Sequence, residues 1–206
     1  MRTLGNAIII SRTEMTKRDY IETILYIIKK ILDYHSSLNQ ITPTLFDKKA
    51  SLNENDDSNM STSTLSNEEN NSNSLIEKEE ENLTLDDYFY YWADKLEFDE
   101  NLLILTMMII DKILCKEFIL TSNNVENVLF TCMVITQKYD EDENFTDKDY
   151  SKIIKINTNE LIEMEMELLS LIDFSLYISE EEFDKYKYKM KDLWKNNLSF
   201  FTFSSY

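Results

Sequence analysis

Hydrophobic residues fill one stretch of the chain, Asn124 to Tyr139, so completely that no polar face remains. Its apolar side chains lie on every side of a 3.6-residue helical wheel: Val125, Val128, Leu129, Phe130, Cys132, Met133, Val134 and Ile135. We therefore predict a helix that is surrounded by other helices. The stretch ends in a single cation, Lys138, and an acidic run follows almost at once. We therefore expect this buried helix to end with one basic side chain, Lys138, at the protein surface.

Helical periodicity continues on both sides of this stretch. An amphipathic helix is predicted from Thr16 to Tyr34, because its isoleucines and leucines recur three and four residues apart. After Leu83, Thr84 is suited to cap one helix and Asp99 a second, nearly all-apolar one. These patterns predict an all-α protein.

The later helices also begin at recognisable capping residues. Asn123 with Glu126 three residues later has capping-box spacing, which predicts the start of the central helix. A short helix is predicted from Asp147 to Ile154, and Asn157 opens the next one. The last predicted helix covers about 180–194.

One side chain breaks the pattern of the helix that follows Asn157. Most of its carboxylates lie on a polar arc, but Glu165 falls among the leucines and methionines of the apolar arc. A carboxylate there is costly unless it has a partner. Glu165 therefore either pairs within the fold, which the pattern favours, or waits for a partner molecule. Lys138 can also be read simply as a cation that a helix C-terminus favours.

Composition changes between the first helix and the others. From about 39 to 82 the chain is rich in Asn, Ser, Thr and acids, with ten acids against three lysines between Asp47 and Asn82. Its few apolar residues do not offset the entropy of ordering, so we predict a disordered acidic insertion. The expected division is an N-terminal helix in 1–38, the insertion in 39–82, a helical domain in 83–195 and a tail in 196–206.

Charge and chemistry narrow the function. The formal net charge of −18 argues against nucleic acid as a partner, because phosphates require clustered lysines and arginines. Two cysteines and one histidine cannot form an ordinary zinc site, and we expect Cys115 and Cys132 to be buried thiols. We find no nucleophile with a base and no phosphate loop, so we expect no catalytic residues and no cofactor. With no membrane-length apolar run, we expect a soluble protein of the cytoplasm or nucleus.

The motifs from Asn124 onward resemble a cyclin box of the P/U type, the short cyclins of phosphate-signalling kinases. That family shows IDR in the second box helix, where this chain has Ile110, Asp111 and Lys112. The matching runs that follow are NVENVLFTCMVITQKYDEDENFTDKDYSKIIKI and ELIEMEMELLSLIDFSLYISEEEFDKY. Their spacing holds without a gap from Asn124 to Tyr186. The resemblance implies a five-helix cyclin box with an extra N-terminal helix and a C-terminal helix.

The same resemblance implies a function and a binding surface. The chain would be a regulatory subunit, not an enzyme, that forms a heterodimer with a cyclin-dependent protein kinase in cell-cycle or related signalling. It would position the C-helix and activation loop of that kinase. Lys138 and Glu165 occupy the positions of the family's kinase-contacting Lys and Glu. The apolar contacts implied beside them are Tyr139, Leu169, Phe174 and Leu176.

Departures from the family pattern leave an alternative open. Glu126 and Asn127 replace the family's HR, and Ile154 and Lys155 replace its GG, which predicts a different backbone geometry before the next helix. These changes and the long insertion are also compatible with a cyclin-fold scaffold that has no kinase-activating role.

Overall fold

The computed structural model describes residues 14–38, 46–47, 83–141 and 145–201, with side chains as far as residue 196. The regular structure of these residues is entirely helical, which confirms the all-α prediction. Five box helices lie between an N-terminal and a C-terminal helix. Their bounds are α1 Lys17–Ser37, α2 Leu85–Lys95, α3 Glu100–Leu114, α4 Val125–Asp140, α5 Asp147–Ile154, α6 Thr158–Leu171 and α7 Glu180–Phe201.

The central helix α4 lies where its sequence predicts. It packs against α2, α3 and α6, and its side chains from Val128 to Gln137 are all buried. Trp92 of α2 meets Phe130 edge to face, with ring centroids 5.2 Å apart. Thr106 of α3 donates a hydrogen bond of 3.1 Å to Thr136, which satisfies a polar group inside the apolar contact.

Helix α1 closes the other side of the bundle against α2, α3 and α7. It begins with a reciprocal capping box between Thr16 and Asp19. Lys17 Nζ donates to the Ala93 carbonyl at 3.1 Å, and Lys29 pairs with Asp86 at 2.7 Å. These contacts fix α1 along the first box helix.

Most helix caps agree with the sequence, but one prediction was wrong. Thr84, Asp99 and Asn157 accept the expected backbone hydrogen bonds at the starts of α2, α3 and α6. Helix α4 instead begins after Asn124, whose side chain makes no cap bond. That side chain bridges the Thr121 amide and the Ile119 carbonyl in the preceding loop, so the hydrogen bonds of this loop override the Asn123 signal.

One further prediction needs correction. Cys132 is buried as expected, but Cys115 is exposed because it is the residue that ends α3. Lys155 has φ 62° and ψ 41°, the left-handed conformation that glycine favours. A lysine therefore adopts the left-handed conformation at a position where the resembled family has glycine.

The predicted insertion lies outside the described residues, apart from Phe46 and Asp47. Phe46 is 1% exposed and packs edge to face on Phe118, with ring centroids 5.9 Å apart. Its carbonyl accepts a 2.8 Å hydrogen bond from Asn127 Nδ2. One aromatic side chain of this range is thus part of the core. At the other end of the chain, α7 continues into the predicted tail.

Candidate functional site

A cluster of three charged side chains forms where α4, α5 and α6 meet. Lys138 Nζ donates to both carboxylate oxygens of Glu165, at 2.9 and 2.8 Å. It also contacts Asp147 Oδ1 at 2.5 Å. The two residues that sequence reasoning singled out therefore meet, and Glu165 finds its partner inside the fold. We call Lys138, Asp147 and Glu165 the charged cluster.

Each member reaches the cluster because of its place on a helix. Lys138 follows the last buried residue of α4, so it is the first long side chain to leave the core. Thr146 caps α5, and its hydroxyl accepts a hydrogen bond from the Asp149 amide. Asp147 therefore lies in the first turn of α5. Glu165 is buried on α6.

Buried polar contacts hold α4 and α5 together beneath the cluster. The Tyr150 hydroxyl donates to Gln137 Oε1 at 3.1 Å, and Gln137 Nε2 donates to the Leu96 carbonyl at 2.8 Å. Lys138 Nζ lies 5.5 Å from the centre of the Tyr150 ring, within cation–π range. The position of the ammonium group is therefore set by packed neighbours, and little rotamer freedom remains to be lost on binding.

The carboxylates of Asp147 and Glu165 share the ammonium group of Lys138. Burial, hydrogen bonds and charge together shift the pKa values of Glu165 and Lys138. Burial raises the pKa of Glu165, although the hydrogen bonds and charge of Lys138 act against the rise. Burial alone would lower the pKa of Lys138, but the carboxylates of Asp147 and Glu165 outweigh it and raise that pKa. The lysine stays charged near neutral pH. Ionised Glu165 is the group whose burial is costly.

The predicted apolar contacts differ in their exposure. Tyr139 is 50% exposed at the end of α4, and Phe174 is 59% exposed just beyond α6. Leu169 and Leu176 are half-buried against the core. The Phe174 amide donates to the Leu169 carbonyl at 2.7 Å, so these two residues are neighbours.

Sequence reasoning missed three residues of this surface. Asp147 was counted within an acidic run, although its place in the first turn of α5 was a usable signal. Ile162 and Met166 are exposed on α6. With Leu169 they have the i, i+4, i+7 spacing of one helix face, which the sequence shows, whereas their exposure is seen only in the structure.

The described residues contain no group of three or more His, Cys, Asp or Glu side chains placed to hold a metal ion. Among the helices of the same residues, none combines the length and apolarity needed to cross a bilayer. What the cluster offers chemically is a fixed donor beside a fixed acceptor, flanked by exposed apolar side chains. Such a combination suits recognition of a protein backbone.

Comparison with protein families gives a match over most of this region. The family described as cyclin, N-terminal domain, matches residues 53–177, which include the charged cluster and both Leu169 and Phe174. The match extends over more than half of the chain.

Individual relatives are similar over shorter stretches. PHO85 cyclin-7 of Saccharomyces cerevisiae is 32% identical over 79 residues, which are 38% of this chain and 28% of the relative. Cyclin-U1-1 of Arabidopsis thaliana is 30% identical over 73 residues, 35% of each chain. Cyclin-U2-1 of the same plant is 32% identical over 69 residues, 34% of this chain and 31% of the relative. The aligned stretches thus span about a third of these relatives.

Proposed function

The chain belongs to the cyclin family and is of the P/U type, and we propose that it binds and activates a cyclin-dependent protein kinase as its regulatory subunit. The observation that carries this proposal is the charged cluster. Lys138 and Glu165 come from different helices and are joined by hydrogen bonds, and each is followed in sequence by an exposed large hydrophobic residue, Tyr139 and Met166.

The cluster supports the proposal through its pairing and its rigidity. Lys138 supplies a donor, and Glu165 supplies an acceptor whose ionised form is costly to bury. A kinase backbone segment that donates to Glu165 would offset part of that cost, so binding and stability are coupled. Such a segment precedes the kinase C-helix in the expected complex.

The surrounding apolar side chains would receive the C-helix itself. Tyr139, Leu169, Phe174 and Leu176 occupy the positions that the family resemblance implies. Exposed Met166, on the same helix face as Leu169, extends this proposed surface. Burial of such side chains supplies the nonpolar part of an interface, while the charged cluster fixes its register.

In the proposed mechanism the chemistry belongs to the kinase. The cyclin binds the active arrangement of the C-helix and activation loop more tightly than the inactive one, and so shifts the kinase population. The chain's charge of −18 directs this proposal toward a protein partner and away from nucleic acid or membrane. Its place of action would be the cytoplasm or the nucleus.

Affinity capture from native extract tests the proposal. Three purified baits are compared: the wild type, the double variant Lys138→Ala with Glu165→Ala, and a matched control, Lys148→Ala with Glu163→Ala. The control removes the same charges from exposed positions of α5 and α6. We expect mass spectrometry to find a cyclin-dependent kinase with the wild type and the control but not with the double variant. The proposal fails if no kinase is recovered, or if the double variant retains it equally.

A scaffold without activating role is the second candidate function. One observation favours it: the Lys138 ammonium group already donates a hydrogen bond to Asp147. A kinase that used this ammonium group would have to compete with the Asp147 carboxylate. The recovered kinase is therefore purified and assayed on a generic protein substrate with and without the chain. Activation raises turnover, whereas a scaffold binds and leaves turnover unchanged.

A further inference from the structure

The connection between α6 and α7 has an unfavourable backbone at its start. Asp173 and Phe174 are consecutive non-glycine residues with φ of 54° and 55°. The left-handed region costs such residues free energy, and two in succession persist only where the surroundings hold them. This connection also carries Phe174 and Leu176, both in the proposed kinase surface.

Two lysines hold the connection from the side, Lys112 in the last turn of α3 and Lys116 in the turn that follows this helix. Lys112 Nζ donates to the Ser175 carbonyl at 2.8 Å and to the Tyr177 carbonyl at 3.0 Å. These two carbonyls flank Leu176 in sequence. Four residues later, beyond the end of α3, Lys116 Nζ pairs with Asp173 Oδ2 at 2.6 Å.

The two contacts differ in strength. The pair of Lys116 with Asp173 is largely exposed, with 45% and 77% of the side chains accessible, and such pairs contribute little. The two hydrogen bonds of Lys112 are also exposed, but they are charge-assisted, there are two of them, and they constrain the main-chain path directly. Lys112 should therefore matter more than Lys116.

Packing does not fix Phe174, because more than half of its side chain is exposed. Its position depends on the backbone, which is held before Phe174 by the Leu169 carbonyl and after it by Lys112. We propose that Lys112 is a positioning residue that presents Phe174 and Leu176 to the kinase. The presentation of these residues to a kinase rests on the proposed function. The effect of Lys112 on the backbone conformation does not.

Hydrogen exchange tests the conformational part without any partner. The full chain is compared as wild type, Lys112→Met, Lys112→Arg and Lys116→Met. We expect faster exchange at the Phe174 amide and its neighbours in Lys112→Met, unchanged exchange in α4, and restoration by Lys112→Arg, whose guanidinium can reach both carbonyls. Unchanged exchange around Phe174 in Lys112→Met would overturn the inference.

A double-mutant cycle tests the functional part with the captured kinase. Lys112→Met should weaken kinase binding about tenfold, as loss of charge-assisted hydrogen bonds predicts, and Lys116→Met by less. In a chain that already carries Phe174→Ala and Leu176→Ala, Lys112→Met should cause almost no further loss. An equal loss in both backgrounds would show that Lys112 does not act through these residues.

Together, the exchange and binding experiments distinguish failure of the proposed function from failure of the positioning role of Lys112. A wild type that binds no kinase, with altered exchange in Lys112→Met, refutes the proposed function and leaves the positioning of the connection standing. A wild type that binds kinase, with Lys112→Met binding equally well, refutes the positioning role alone.

Discussion

Replacing Lys138 with methionine tests the electrostatics of the charged cluster most directly. Methionine keeps most of the unbranched stem but removes the ammonium group, so Glu165 and Asp147 lose their shared partner. In the folded chain the side chains of Lys138, Asp147 and Glu165 are 29%, 41% and 11% exposed. The variant therefore leaves one nearly buried and one half-exposed carboxylate without a cation between them.

The expected destabilisation lies between two limits. Removal of one partner from a fully buried ion pair costs about 3–5 kcal/mol, whereas an exposed pair contributes about 0–1 kcal/mol. Because solvent reaches Lys138 and Asp147, we discount the buried value and expect about 2 kcal/mol near pH 7. For a chain of this size, that loss lowers Tm by roughly 5 °C.

The loss should depend on pH with a definite sign. Burial already raises the pKa of Glu165, and removal of Lys138 raises it further. A group with a raised folded pKa binds its proton more tightly when folded, so its penalty appears as pH rises through that pKa and disappears as pH falls. The pKa of Lys138 itself is raised above its usual 10.5, so the lysine does not titrate in this range. The deficit of the variant should shrink between about pH 7.5 and about pH 5.

Thermal unfolding followed by circular dichroism at these two pH values measures the effect. Lys148→Met is the matched control, because it changes the net charge equally at an exposed position of α5. A deficit no larger than that of the control would contradict the reasoning. So would a deficit that stays constant or grows as the pH is lowered.

Three further predictions concern other parts of the structure. Glu165→Gln removes the costly buried charge, while Asp147 still pairs with Lys138. The free chain should therefore melt at the same or a higher temperature at neutral pH, and this gain in Tm should vanish in acid. A clear loss of Tm at neutral pH would refute this. Phe46→Ala should cost about 3 kcal/mol in chemical denaturation, and a change within error would show that its burial contributes nothing. Lys155→Gly should raise stability by up to about 1 kcal/mol in the same assay, because glycine adopts the observed left-handed conformation more easily, whereas Lys155→Ala should not.

Local patterns predicted the helices well because each pattern has a local cause. The burial of α4 follows from apolar residues on every side, and the starts of α2 and α3 follow from the caps Thr84 and Asp99. The cap at Asn123 failed for a nonlocal reason. Its neighbour Asn124 is held by the loop before it, and that loop is tied to α1, because the Leu120 amide donates to His35 Nδ1 at 2.9 Å.

The candidate site was predictable only as separate anomalies. Lys138 was conspicuous as the first cation after a buried helix, and Glu165 as a carboxylate among leucines. Ile162 and Met166 were missed because the sequence gives no sign that these apolar side chains of α6 are exposed. Exposure depends on which part of that helix neighbouring helices cover, and periodicity does not contain this information.

By itself, the sequence determined the all-α class and the central buried helix. It also singled out two charged residues, Lys138 at the end of that helix and Glu165 in the apolar arc of α6. Only the tertiary structure decided that Lys138 and Glu165, 27 residues apart, meet each other, and that Asp147 joins them. It also decided that Phe46 belongs to the core and that Phe174 adopts a left-handed conformation. Helical periodicity is set by neighbours within a few residues, whereas these contacts depend on how separate helices cross and how their connections are held.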